Sequence, residues 1–169
     1  MNRILRVLLA TAVPVAAAVA VSLPTYGART SAAPSTPTCR AAALGRTTAT
    51  DRATYPRGTP VRVSTSVVNV SRRSCAVDIR ACVSATVTNG SGTVVWSAVP
   101  FNAFCPAYII RQTLAPGQAV TRSWTWDQHV CVLIGKCPGP QVAPGQYVAQ
   151  GHWGSGIGDA RPTSFLING

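Results

Sequence analysis

The sequence predicts an all-β protein, an antiparallel β-sandwich of about seven to eight short strands that follows an N-terminal signal segment and a short stalk. Three observations carry this. Glycine and proline recur every 10 to 20 residues from position 39 onward, apolar residues alternate with polar ones at a spacing of two, and no stretch keeps a 3.6-residue apolar period for three turns. Of the 169 residues, those left after a targeting segment suffice for one domain with a real core and leave no room for a second.

The N-terminus opens with Arg3 and Arg6, continues through an uncharged apolar run over 7–23, and passes into small and polar residues. This is the layout of a secretory signal, assigned to residues 1–28 with cleavage anywhere from 22 to 32; a retained membrane anchor is the competing reading of the same run. Residues 29–38 are small and polar with Pro34 and Pro37, which predicts a flexible stalk, and the sandwich is expected over 39–169. Export places the protein outside the cytoplasm, secreted or in the cell envelope.

Six cysteines follow, Cys39, Cys75, Cys82, Cys105, Cys131 and Cys137, an even number that fits up to three disulfides of open connectivity. Their closest spacings, five and six intervening residues, are unlike the tight pairs of a zinc site, so no metal and no cofactor is expected. The charge is carried by 14 arginines and one lysine against four aspartates and no glutamate. Without Arg3 and Arg6 the balance is 13 minus 4, or +9, which favours anionic wall polymers, lipid headgroups or acidic proteins as partners. The arginines are scattered, however, and charge of this kind speaks to loose binding rather than to a site; no specific nucleic-acid partner is expected.

Residues 77–87 alternate through six apolar positions, Val77, Ile79, Ala81, Val83, Ala85 and Val87, and predict one half-buried strand with Cys82 on its polar face. Asn89-Gly90 then predicts a tight hairpin with positive φ at the Asn-Gly pair, returning through Val94, Val95 and Trp96. Upstream, Val61, Val63 and Val67 alternate until Val67-Val68, where a bulge or a sheet edge would explain the slip. Two near copies, Leu114-Ala-Pro-Gly-Gln118 and Val142-Ala-Pro-Gly-Gln146, predict type II turns launching strands over 119–126 and 147–153. A weaker first strand lies between 41 and 50, and a last one holds Phe165 and Ile167. The four tryptophans, Trp96, Trp124, Trp126 and Trp153, fall in or beside these strands and are expected in the core.

Catalytic chemistry is thinly supplied. The titratable groups suited to it are His129, His152 and the four aspartates, of which only Asp127 stands close to a histidine in sequence; Asp51, Asp78 and Asp159 do not. Asp127 is expected to bond local backbone, so no catalytic residues are assigned and the protein is expected not to be an enzyme. Asn69-Val-Ser71 and Asn89-Gly-Ser91 match the glycosylation sequon, but turn chemistry already explains both.

Several of these turns and core residues recur together in a known order. Tyr55-Pro-Arg-Gly58, Asn69-Val-Ser71, Gly92-Thr-Val-Val-Trp96, Leu114-Ala-Pro-Gly117, Trp126-Asp127-Gln128 and Val142-Ala-Pro-Gly145-Gln-Tyr147 make residues 50–167 resemble the BsuPI-type intracellular proteinase inhibitor family in a secreted, cysteine-containing form. The resemblance implies an immunoglobulin-like sandwich and a protein-binding role, inhibition of a proteinase, although it transfers no inhibitory residue. An exported chain would meet its proteinase outside the cytoplasm. The candidate binding element is the loop over 131–137, in which Val132, Leu133, Ile134 and Lys136 stand between two cysteines. If these pair, a rigid loop with three apolar residues could enter a partner's cleft; the alternative is that they pack back on the sandwich and the bridge staples a long connection.

Overall fold

The computed structural model describes residues 35–154 and 156–169. The expected signal segment, its cleavage positions and most of the stalk lie outside these residues. Backbone pairing begins before Cys39: Ala76 N–H donates to Pro37 O, and Cys39 N–H to Ala76 O, each at 2.8 Å.

Ten strands follow a 3-10 turn at Ala41–Ala43 among the described residues. They are β1 (Leu44–Thr50), β2 (Thr54–Pro56), β3 (Val61–Asn69), β4 (Cys75–Arg80), β5 (Ser84–Asn89), β6 (Val94–Ser97), β7 (Ile109–Leu114), β8 (Ala119–Trp126), β9 (Gly145–His152) and β10 (Thr163–Asn168). One sheet has the order β1-β3-β8, the second β2-β10-β9-β5-β6, and β4 pairs β7 separately. All named pairs are antiparallel except β2 with β10. This is an immunoglobulin-like sandwich.

The expected strand over 77–87 is two strands in different sheets. β4 stops at Arg80, and residues 81–83 carry the chain across a corner to β5. Both halves face one interior, so Val77, Ile79, Val83, Ala85 and Val87 are all buried and the alternation runs straight through the break. In β3 the apparent slip at Val67-Val68 is neither bulge nor edge: the strand is central, its register with β1 and β8 is continuous, and Thr65 and Asn69 take the inward positions between the valines. The hairpin after β5 also differs from expectation, since the positive φ falls at Gly92 (82°) and not at the Asn-Gly pair. Gly92 N–H donates to Asn89 O, and Asn89 Oδ1 accepts from the N–H groups of Ser91 and Thr93, giving a longer turn closed by a bulge. Of the two Pro-Gly turns, the first is type II, with Gly117 at φ 76° and Gln118 N–H on Ala115 O. The second is not: Gly145 has φ 153° and already begins β9.

Two apolar clusters fill the sandwich. Tyr55, Trp96, Trp126, Tyr147 and Phe165 dominate one, with Trp126 and Tyr147 ring centroids 5.8 Å apart; Leu44, Ile79, Leu114 and Trp153 dominate the other. Trp124 is partly buried and packs on both. Tyr147 donates its hydroxyl to Ala143 O at 2.5 Å, the tyrosine corner of such folds. Gln128, fully buried at φ 64°, accepts from Gly58 N–H and donates to Pro56 O and Thr59 O, which fixes the turn after β2. Asn69 is likewise fully buried, with its amide nitrogen on Arg73 O and Leu114 O, so its sequon is turn chemistry.

Between the clusters the sheets touch closely. Gly151 N–H donates to Thr48 Oγ1 at 2.9 Å, and Trp153 Nε1 to Thr65 Oγ1 at 2.9 Å. A Cβ at residue 151 would stand 2.1 Å from Thr65 Oγ1. Gly151→Ala is therefore expected to destabilise the domain by about 2 kcal/mol or more through overpacking, measured by chemical denaturation.

At the margin, Asp51 accepts from the Tyr55 hydroxyl at 2.6 Å and from Arg62 N–H at 2.9 Å. Donation by Tyr55, opposed by some desolvation and aided by Arg62, holds the carboxyl below its usual range. A carboxyl depressed in the folded state stabilises above its unfolded pKa of 3.8, and that stability is lost as pH falls through the lower folded value. Asp51→Asn should flatten the loss of stability on acidification below pH about 4 while leaving little pH dependence changed above about 5, read from denaturation midpoints across that range.

Candidate functional site

Three disulfides join Cys39 to Cys75, Cys82 to Cys105 and Cys131 to Cys137. All six cysteines are thus paired, as suits a protein matured in an oxidising compartment. Among the described residues no helix is long and apolar enough to cross a membrane, and no three His, Cys, Asp or Glu side chains converge as metal ligands.

The candidate loop over 131–137 is closed by its own bridge and held from outside. Cys131 N–H donates to Val95 O and Ser97 N–H to Cys131 O, which seats the loop beside β6. Its far end is clamped by the loop over 98–105: Phe101 N–H donates to Val132 O at 2.9 Å, Ile134 N–H to Asn102 Oδ1 at 2.6 Å, and Asn102 Nδ2 to Ile134 O at 3.4 Å. Val132 and Leu133 are half-buried, whereas Ile134 is 55% exposed and Lys136 is exposed. Only part of the predicted element therefore faces outward.

What the sequence reading missed is the other half of this surface. Phe101 is 64% and Phe104 89% exposed, on a loop anchored by Cys105 to Cys82 at the corner between β4 and β5. With Ile134 they are the exposed apolar residues of a ridge formed by two stapled loops that meet through Asn102. Isolated exposed apolar residues are ordinary, but three on loops held by two disulfides and a side-chain clamp are a candidate contact surface. The signal available in sequence was Pro100-Phe-Asn-Ala-Phe-Cys105, two phenylalanines outside any alternating pattern.

Beside the ridge, a groove of about 610 Å³ opens on the outer face of the five-stranded sheet. Ser84, Thr86, Gln150 and His152 form its polar floor, and Val94, Val99 and Phe101 its apolar wall. Here His152 Nδ1 lies 2.9 Å from Asp159 Oδ1, and His152 Nε2 lies 2.9 Å from Thr86 Oγ1. Sequence spacing had left Asp159 without a histidine. An antiparallel bridge between His152 and Asp159 brings it beside β9, and Gly154, Gly156 and Gly158 on the way have positive φ. The Asp127 and His129 pair behaves as expected: Asp127 Oδ1 accepts from His129 N–H at 3.0 Å, a local backbone cap.

Fold and surface together define an immunoglobulin-like domain with stapled loops at one flank. No family model matches the chain, and no curated protein matches it. Among solved structures, a β-glucosidase from Erythrobacter marinus aligns over 74% of this chain and 15% of its own at 19% identity and a TM-score of 0.41. A β-glucosidase from Listeria innocua aligns over 75% and 16% at 12% identity and 0.41. The DNA-bound alkylpurine DNA glycosylase AlkC of Pseudomonas fluorescens aligns over 75% and 31% at 11% identity and 0.42. The chain thus spans less than a third of each of these proteins, and at such scores nothing of their activities carries over.

If the clamp fixes the ridge, Asn102→Ala should speed hydrogen exchange of the amides over 132–136 at least about tenfold while barely moving the melting temperature, since local openings are independent of global unfolding.

Proposed function

We propose that this domain is an exported protein-binding module, with an extracytoplasmic proteinase as the partner class. The observation that carries the reading is the exposure of Phe101, Phe104 and Ile134 on two loops joined by the Asn102 clamp and fastened by the bridges Cys82 to Cys105 and Cys131 to Cys137. Preorganised apolar side chains lose little conformational entropy on binding and suit a partner's hydrophobic cleft. Resemblance to the BsuPI-type inhibitors supports the choice of a proteinase, and the three disulfides support a site of action outside the cytoplasm. Lys136 at the loop's end and the exposed arginines would assist encounter with an acidic partner without defining the contact.

The test is binding and inhibition of extracytoplasmic serine proteinases by the oxidised domain, at low and high salt. Phe104→Ser with Ile134→Ser should weaken binding by about a hundredfold or more, with loss spread little across salt concentrations, because hot-spot truncation removes apolar contact. Binding only to anionic wall polymers or lipid headgroups, lost at high salt and indifferent to these substitutions, would overturn the proteinase reading in favour of a basic envelope protein.

A further inference from the structure

The groove beside the ridge holds a second arrangement that the binding role does not use. Asp159, His152 and Thr86 form an unbroken chain of two 2.9 Å hydrogen bonds ending on a hydroxyl in this groove. A carboxylate only accepts, so Nδ1 of His152 carries the proton that faces Asp159, and the Nε2 lone pair is left to accept the Thr86 hydroxyl. Hydroxyl, imidazole and carboxylate then stand in the order of a nucleophile, its base and the group that orients the base. The frame is rigid: Thr86 is on β5, which is hydrogen-bonded on both sides, and His152 ends the neighbouring β9.

We propose that Thr86 Oγ1 is an acyl acceptor and that the groove slowly hydrolyses small activated carboxylic esters. Oγ1 attacks the ester carbonyl carbon while Nε2 takes its proton. The tetrahedral adduct collapses with cleavage of the bond to the leaving oxygen, and the protonated imidazole gives that proton to the departing alcohol. Water, deprotonated by Nε2, then attacks the acyl-threonine ester; the carboxylic acid leaves and Oγ1 regains its proton. The apolar wall of Val94, Val99 and Phe101 suits a short alkyl or aryl group.

Slow turnover follows from the same geometry. β5 lies inside its sheet, with its backbone N–H groups directed to the ladders of β6 and β9, so the donors that line the groove for the adduct's oxyanion are side chains, Ser84 and Gln150 among them. Lack of backbone donors of this kind costs about a hundredfold to a thousandfold in rate.

The experiment uses the oxidised domain with 4-nitrophenyl butyrate, read by nitrophenolate release and by mass spectrometry of the acylated protein. The expected result is hydrolysis above buffer, a butyryl adduct on the peptide containing Thr86, and a fall of at least about tenfold in Thr86→Val and Asp159→Asn, the loss that follows removal of a nucleophile or of the group orienting its base. His129→Ala should leave the rate unchanged, which separates this chemistry from attack by an exposed imidazole. Thr86→Val keeps shape and β-propensity, and an unchanged melting temperature certifies its fold. A wild-type rate equal to buffer, a Thr86→Val variant as fast as wild type, or an adduct only elsewhere would each overturn the proposal. Because Phe104 lies outside the groove lining, Phe104→Ser should spare hydrolysis, so this activity and the partner-binding role fail or survive separately.

Discussion

The two sheets meet most closely where the backbone of β9 passes over Thr65. With no side chain at Gly151, β9 settles onto β1 and β3, and the polar groups brought together there are all matched: Gly151 N–H on Thr48, the Trp153 indole on Thr65. Such a buried polar joint is tolerable only when every member has a partner, because an orphaned donor in the interior costs about 1 to 3 kcal/mol. Among the described residues every buried side-chain nitrogen and oxygen is satisfied. Seated by this joint, β9 delivers Tyr147 to the corner at its start and His152 to the groove at its end. Both the aromatic cluster around Trp126 and the hydrogen-bonded chain to Asp159 depend on it.

How much of this was legible depended on the range of the interaction. β8 appears where Pro116-Gly117 and the alternation through Trp124 and Trp126 place it, since turn chemistry and period two act over a few residues. The break at residues 81–83 was invisible for a physical reason: alternation reports which side faces the interior, and in a sandwich both sheets face the same interior. Thr65 and Asn69 hid the regularity of β3 because polar residues filled inward positions, each satisfied by groups distant in sequence. Repetition of Ala-Pro-Gly did not guarantee repetition of the turn, as Gly145 is drawn directly into pairing with β10.

The candidate surface was half legible. Residues 131–137 stood out because paired cysteines bracket apolar residues, but their partner over 98–105 had no pattern, and only the tertiary contact of Asn102 with Ile134 joins the two. The meeting of Asp159 with His152 is an antiparallel bridge that sequence spacing does not disclose. Charge behaved as a surface property: Asp78 pairs with Arg111 at 2.9 Å, and nearly all the described arginines are exposed. An edge strand also uses it, since Arg122 occupies an inward-phase position of β8 between Val120 and Trp124 and yet reaches solvent, which discourages strand addition there.

None of the three bridges ties the β1-β3-β8 sheet to the five-stranded one. Each instead fastens a connection to its own neighbourhood, closing spans of 36, 23 and 6 residues in sequence and contributing about 2 to 4 kcal/mol apiece by restricting the unfolded chain. Assembly of the interior is thereby separated from finishing of the rim: hydrophobic collapse of the sheets requires no oxidant, while the outward loops acquire their final shape only once thiols are consumed. In such a layout the architecture is specified before oxidation and the shape of the outward loops only after it, so the redox condition of the surroundings governs when those loops reach their final form.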